Sequence, residues 1–194
     1  GRSVRSGEGI GSFELKVTAL PTLISASPTT PTGIEPSKVV ARPNGDRLIG
    51  TIEQLASIGA KPDGSVCRSG FSPEDVQGRE LLAYWMKQLG MQVRVDAAGN
   101  LIGRLEGLDP HRPALVTGSH LDTVPTGGRF DGALGVLAGL EACRALQDQC
   151  IRLRHGIELI AFADEESTMV GCKGLAGTAS DDPESYATSN GQPI

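Results

Sequence analysis

The sequence contains no apolar run long enough to cross a lipid bilayer. Its longest apolar stretches, around residues 134–140 and 157–163, fall far short of the about 20 residues that a membrane-spanning helix needs. A run of basic residues is also absent. In total, 18 Lys and Arg stand against 23 Asp and Glu, which gives a net charge of −5. A protein that follows a phosphate backbone needs clustered positive charge. These absences predict a soluble protein that binds neither a membrane nor nucleic acid.

Paired cysteines are lacking as well. No Cys-x-x-Cys motif occurs among the four cysteines, which are Cys67, Cys143, Cys150 and Cys172. In a chain of this length they are typical of reduced thiols rather than of a disulfide framework, so we expect a reducing compartment, the cytoplasm. Residues 1–14 combine arginines and serines as organelle transit peptides do, but two glutamates in the same stretch argue against targeting.

The first 43 residues are rich in Ser, Thr, Pro and Gly. Such a composition does not bury enough apolar surface to offset the entropy of ordering, so we predict a disordered leader over residues 1–43. Residues 44–194 are predicted to fold as one domain, because a stretch of this length can bury one core. The chain begins with Gly rather than Met and closes without a recognisable terminating element, so we expect its natural ends to lie elsewhere.

Local patterns predict two helices at the start of this domain. Apolar residues recur at helical spacing over residues 46–58, and Gly59 follows as a stop signal. Ser72 as a cap and Pro73 at the first helical position mark the start of a second helix, which carries a buried apolar stripe and ends at Gly90. Both helices are predicted to contribute core rather than chemistry.

The remaining patterns predict strands. Alternating apolar residues over 91–95 and their return over 101–105 predict a hairpin. Apolar runs at 113–118 and 157–163 predict buried strands, separated by a predicted helix over 132–146. Strands joined by a helical crossover imply an α/β fold, with a mostly parallel sheet and helices on both faces. In such sheets ligands bind beyond the carboxyl ends of the strands.

Polar side chains with metal-binding chemistry follow the first of these buried strands. His120 ends the strand, and Asp122 lies two residues later on the same side of an extended chain. His120 can bind a metal while the Asp122 carboxylate accepts the proton of the other ring nitrogen, which fixes the tautomer. The competing interpretation is a surface histidine beside a solvated aspartate.

Carboxylates complete the set. Asp131 stands just before the predicted helix and suits a bridging ligand, although it could equally be a helix cap. Asp164, Glu165 and Glu166 follow the second buried strand; three consecutive acids repel one another unless a cation is near, and a plain acidic loop is the alternative. The set of His120, Asp131 and Glu166 suits Zn²⁺ or Mn²⁺, and it leaves Glu165 to deprotonate water.

Three segments around these residues are similar to the metal-site segments of the N-carbamoyl-L-amino-acid hydrolase and allantoate amidohydrolase group, within the M20-type metallopeptidase superfamily. They read GSHLDTVP at 118–125, GGRFDGALGVL at 127–137 and FADEE at 162–166. The short gap between His120 and Asp131 resembles this group more than the aminopeptidase or acetylornithine deacetylase branches. Members of the group continue after the acidic pair with Gly and an aromatic residue, whereas this chain continues with Ser-Thr-Met-Val, a departure at the expected pocket floor.

The resemblance implies the chemistry of the site. Two divalent metal ions, Zn²⁺ or Mn²⁺, would be held by His120 on one, Asp131 as the bridge and Glu166 on the other. Glu165 would be the catalytic base, and Asp122 would be the second catalytic residue, which orients the His120 ring. The substrate would be a small molecule with a linear ureido or amide C–N bond, such as an N-carbamoyl amino acid, allantoate or ureidopropionate. A dipeptidase or amidase of the same superfamily and a non-catalytic α/β binding module are the alternatives.

The resemblance also implies parts that this sequence does not supply. Two further histidine ligands are expected, yet the only other histidines, His111 and His155, precede the strands and belong roughly 17–20 Å away at the opposite edge of the sheet. A second domain that mediates dimerisation is expected too. We therefore predict that residues 44–194 form a partial metal-binding catalytic domain, that the full-length form is a homodimer, and that this amino-terminal fragment has little or no activity alone.

Overall fold

The computed structural model describes residues 40–182 and 185–187. The predicted leader therefore lies, but for its last four residues, outside the described part. Eight elements are formed: α1 (Gly45–Ala56), α2 (Pro73–Gln88), β1 (Gln92–Val95), β2 (Leu101–Leu105), β3 (Leu115–His120), α3 (Ala133–Asp148), β4 (Ile157–Phe162) and α4 (Val170–Ala176). Seven of them correspond to the predicted helices and strands, and the short helix α4 was not predicted.

Local capping explains where the first two helices begin. The Asn44 side chain accepts a hydrogen bond from the Arg47 N–H and caps α1. At α2 the Ser72 hydroxyl accepts from the Asp75 N–H at 3.2 Å, while the Asp75 carboxylate accepts from the Phe71 N–H at 3.0 Å. These reciprocal bonds satisfy amide groups that the first helical turn would otherwise leave unpaired.

The sheet is mixed, with the strand order β1-β2-β4-β3. The α/β class is confirmed, but the expectation of a mostly parallel sheet needs correction. Only β3 and β4, joined by the α3 crossover, are parallel; the hairpin β1–β2 extends the same sheet through an antiparallel pairing of β2 with β4. The sequence patterns located each strand, but a pattern of apolar residues does not carry strand direction.

Helices α2 and α3 pack against one face of the sheet. Gly103, Leu159 and Thr117 are aligned by the strand register on that face. A Cβ at Gly103 would meet Met86 of α2, and one at Gly139 of α3 would meet Leu159 and Thr117. Helix α1 packs on α3. These helices therefore meet the expectation of helical cover on one face only. On the opposite face Val116 is 61% exposed, whereas Ile102 and Ile160 are each 2% exposed.

The core and the thiols agree with most of the sequence patterns. The prediction that residues 113–118 form a buried strand is wrong, because β3 lies at the edge of the sheet and residues 115–118 are exposed. The predicted apolar stripes of α1 and α2 form one buried cluster with α3, β2 and β4. All four cysteines are free thiols. Over residues 40–182 and 185–187, no helix combines the length and apolar character that a membrane span requires.

Candidate metal centre

The site forms where the parallel strands end. His120 is the last residue of β3 and pairs in register with Phe162, the last residue of β4. Two residues separate Phe162 from Glu165, so the acidic segment emerges beside the histidine. Helix α3 begins at Ala133, which places Asp131 at the same edge. Parallel pairing is the reason that two segments distant in sequence meet here.

The structure brings three of the predicted site residues together. His120, Asp131 and Glu166 each offer one ligand atom, and these atoms all lie within 4.8 Å of one another. His120 is buried, Glu166 is half-buried and Asp131 is exposed, so the group opens to solvent on the aspartate side. Imidazole nitrogen and carboxylate oxygens are the donors that Zn²⁺ and Mn²⁺ accept.

His120 is held by a different group from the one predicted. Its Nδ1 lies 2.9 Å from the backbone carbonyl oxygen of Asp122 and 3.7 Å from the Asp122 Oδ1. The expected hydrogen bond to the carboxylate is therefore replaced by one to the carbonyl of the same residue. A carbonyl oxygen only accepts, so Nδ1 carries the proton and the lone pair of Nε2 is left for a metal.

The Asp122 carboxylate connects the two strand ends instead. It is buried, and its Oδ2 accepts a hydrogen bond from the Glu166 N–H at 3.0 Å. Its Oδ1 has no hydrogen-bond partner within the described part of the chain. A buried, unpaired carboxylate oxygen is costly, and a nearby cation would lower that cost. This orphaned oxygen, together with the donor set, fits a divalent cation.

The acidic segment is electrostatically crowded. Burial raises the pKa of Glu166, the charges of Asp131, Glu165 and Asp122 raise it further, and His120 lowers it. Glu165 Oε2 lies 3.5 Å from His120 Nε2, so this carboxylate faces the same ring from the solvent side. Several carboxylates held this close favour a bound cation, because each one disfavours ionisation of its neighbours.

Gly132 is required by a close approach. It has φ +60°, and a Cβ added there would lie 2.4 Å from the His120 Cε1. Only glycine adopts this backbone conformation readily and leaves room for the ring. The Asp-Gly pair thus lets the chain pass over the imidazole and present Asp131 beside it.

The other histidines lie at the far end of the sheet, as predicted. His155 Nδ1 is 2.7 Å from the carbonyl oxygen of Pro113, just before β3 begins, and His111 belongs to the loop that precedes that residue. A six-residue strand separates this end from the candidate centre. Neither side chain is placed to join the three converging residues.

Two buried polar residues near the site were missed in the sequence. Arg68 is 1% exposed and donates to the carbonyl oxygens of Leu121, Leu55 and Ile58. Asn100 is 0% exposed, although the predicted hairpin places it in the connection between the strands at 91–95 and 101–105. Both stand among polar and glycine residues, so no local periodicity signals their burial.

Comparisons with known proteins identify relatives of this chain. A model of peptidase family M28 matches residues 100–190. An N-carbamoyl-L-amino acid amidohydrolase of Geobacillus stearothermophilus is 42% identical over 139 residues, covering 69% of this chain and 34% of the relative. A hydantoinase/carbamoylase family amidase from Burkholderia ambifaria has a crystal structure that matches with a TM-score of 0.75 and 38% identity, over 79% of this chain and 39% of that one. The chain is a homologue of these amidohydrolases.

The homology confirms the resemblance drawn from the three metal-site segments. A ureidoglycolate hydrolase of Oryza sativa subsp. japonica is similar as well, with 42% identity over 126 residues, 65% of this chain and 26% of the relative. The amidohydrolase homologues form a family of metallohydrolase type. The chain spans between about a quarter and about a third of the length of the curated relatives that it matches.

Proposed function

We propose that this chain forms the metal-binding part of a hydrolase that cleaves a linear amide or ureido C–N bond. The observation that carries the proposal is the convergence of ligand atoms from His120, Asp131 and Glu166 within 4.8 Å, with Glu165 beside them. The names of the relatives, N-carbamoyl-L-amino acid amidohydrolase and ureidoglycolate hydrolase, support small ureido compounds as the substrate class. N-carbamoyl amino acids, allantoate and ureidopropionate belong to that class.

Each side chain has a distinct role in this proposal. His120 and Glu166 would each hold one of two divalent ions, Zn²⁺ or Mn²⁺, and Asp131 would contact both. Such ions, when bound, polarise the substrate carbonyl and lower the pKa of water. Glu165 is adjacent to the ligands without being one of them. Its carboxylate can take a proton from the water that attacks the carbonyl carbon and return it to the leaving nitrogen as the C–N bond breaks.

Asp122 acts as a positioning residue in this scheme. Its carbonyl oxygen orients the His120 ring, and its carboxylate holds the Glu166 N–H. The second of these contacts joins the segments that follow β3 and β4. Outer groups of this kind tune metal sites without touching the metal.

The site in this chain is incomplete for turnover. Of its three histidines, only His120 lies at the candidate centre. We propose that residues 44–194 are a partial catalytic domain with little or no activity alone, and that the full-length form is a homodimer. Ammonia release at rates typical of the amidohydrolases from the purified chain would contradict this part of the proposal.

Metal binding tests the site itself. Titration calorimetry with Mn²⁺ or Zn²⁺ should show binding that Asp131→Asn weakens at least tenfold, because a ligand oxygen is lost. Glu165→Gln should bind with affinity within about threefold of the original chain, since that residue is not a ligand. Asp109→Asn, at the far end of the sheet, is the matched control. Unchanged binding in Asp131→Asn would overturn the assignment.

Two alternatives remain distinguishable by experiment. The match to a peptidase family model favours a peptidase or dipeptidase of the same superfamily as the second candidate. Assaying the complete enzyme with N-carbamoyl amino acids, ureidoglycolate, allantoate, ureidopropionate and dipeptides separates these substrate classes. A non-catalytic α/β binding module would bind no metal, or would bind it equally well without Asp131.

A further inference from the structure

We propose that Asn100 is a positioning residue for the metal centre, because its side-chain amide joins the two ends of the loop that carries Glu165 and Glu166. These ends are Ala163 and Gly171, and we call them the neck of the loop. Asn100 lies in the turn before β2 and is 0% exposed. The inference rests on the proposed function in one respect, which is that Glu166 is a metal ligand. No contact between Asn100 and a metal or a substrate is involved.

The amide group of Asn100 bridges the two ends of the acidic loop. Its Oδ1 accepts a hydrogen bond from the Ala163 N–H, and its Nδ2 donates to the Gly171 carbonyl oxygen, both at 3.0 Å. The two ends are also joined directly, because the Gly171 N–H donates to the Ala163 carbonyl oxygen at 3.1 Å. The Asn100 carboxamide therefore accepts from one backbone N–H and donates to one backbone carbonyl oxygen, as the peptide group of a neighbouring β-strand would. We call this arrangement the amide clasp.

Asp96 fixes the orientation of the clasp. Its carboxylate oxygens accept from the Asn100 Nδ2 at 2.9 Å and from the Asn100 backbone N–H at 2.8 Å. An ionised carboxylate only accepts, so the nitrogen of the carboxamide must face Asp96 and the oxygen must face Ala163. Every polar atom of the Asn100 side chain thus has a partner, which is the condition for a buried amide to specify one structure.

The loop needs an external restraint because its backbone is strained. Asp164 and Met169 have φ values of 50° and 55°, a left-handed conformation that is unfavourable for non-glycine residues and persists only where the surroundings hold it. Inside the loop the Met169 N–H donates to the Asp164 carbonyl oxygen. Outside it, the Asn100 clasp holds the neck, and Asp122 holds the Glu166 N–H.

The packing around the Asn100 amide is tight at Gly171. A Cβ added at Gly171 would lie 2.1 Å from the Asn100 Oδ1 and 2.4 Å from the Ala163 nitrogen. The loop end is therefore glycine at the point where the carboxamide approaches the backbone. Removing the amide would leave the Ala163 N–H and one Gly171 acceptor site unpaired in a buried place and would release the neck.

The test compares Asn100→Ala with the control Asn44→Ala. Asn44 caps α1, so its loss lowers stability by a similar mechanism at a different place. Hydrogen exchange of the metal-free protein should accelerate over residues 164–170 in Asn100→Ala, while amides of β4 stay protected. Calorimetry with Mn²⁺ should show about 10–100-fold weaker binding, the usual cost of removing an outer partner of a metal site. Asn44→Ala should change neither readout.

Asn100→Asp separates positioning from charge. The substitution keeps the shape and the acceptor for Ala163 but removes both donors, and it adds a negative charge near the acidic loop. Charge alone would strengthen cation binding, whereas loss of the clasp weakens it. Equal or tighter Mn²⁺ binding in Asn100→Asp would overturn the inference.

The remaining outcomes are also decisive. Unchanged Mn²⁺ binding in Asn100→Ala, or exchange that accelerates equally throughout β4, would assign Asn100 to general stability and overturn the inference. If the original chain binds no metal, the proposed function fails. The exchange of residues 164–170 still shows in that case whether the clasp restrains the loop.

Discussion

Replacing Gly132 with alanine tests the placement of the metal centre directly. An alanine Cβ would lie 2.4 Å from the His120 Cε1 and 2.5 Å from its Nδ1. Carbon atoms in contact are normally about 3.5–4.0 Å apart, so the ring or the chain before α3 must move by roughly 1 Å. The positive φ of 60° adds about 1–2 kcal/mol for a residue with a Cβ.

A shift of this size should damage metal binding more than folding. Binding groups need to be held within about 0.5 Å of the productive geometry, and the added methyl group would lie between the two proposed ligands, His120 and Asp131. We expect Mn²⁺ or Zn²⁺ affinity to fall at least tenfold, and the free energy of unfolding to fall by about 1–3 kcal/mol. Titration calorimetry measures the first quantity and urea denaturation the second.

Gly128→Ala provides the matched control. Gly128 lies in the same loop and has a negative φ, and a Cβ there would meet nothing within 4 Å. It should therefore bind metal like the original chain. Equal affinity in Gly132→Ala would refute the placement of His120 as a ligand, and equal weakening in both variants would show that the loop tolerates no change at all.

Three further predictions concern buried polar groups. Burial raises the pKa of Asp75 to about 6 from its ordinary 3.8, so the folded state binds this proton more tightly than the unfolded state does. The loss of stability caused by ionising the Asp75 carboxyl group is absent below pH 4 and grows to about 3 kcal/mol as pH rises through 6. Urea denaturation should show that the unfolding free energy of Asp75→Asn lacks this component of the pH dependence. If the unfolding free energies of the original chain and of Asp75→Asn change with pH in parallel, the prediction is wrong. Arg68→Met should lower the free energy of unfolding by about 3 kcal/mol, since three buried carbonyl oxygens lose their donor, and a loss below about 1 kcal/mol would argue against that role. Burial raises the pKa of the Cys143 thiol to about 11, so maleimide should label this thiol only after unfolding. The exposed Cys150 should be labelled in the folded protein. Equal labelling rates for the two thiols would place Cys143 at the surface.

Sequence patterns were sufficient where the physics is local. Ser72 and Pro73 predict the start of α2 because a cap and a fixed φ act within one turn. The apolar runs locate β3 and β4, but only β4 has the predicted burial, since β3 is an edge strand with residues 115–118 exposed. His120, Asp131 and Glu166 were selected as candidate ligands by residue type and by their places after strands and before a helix. Homology to amidohydrolases then confirms the family that these segments resemble.

Tertiary structure alone decided what depends on contacts between distant residues. Strand direction in the β2–β4 pair is set by how the hairpin docks, and no apolar pattern encodes it. His120 bonds to the carbonyl of Asp122 rather than to its carboxylate because the chain turns after β3 and the carboxylate is drawn to the Glu166 N–H. Asn100 is indistinguishable from an ordinary turn residue until Ala163 and Gly171 pack around its amide, since the partners of a buried hydrogen bond are chosen by packing and not by neighbours in sequence.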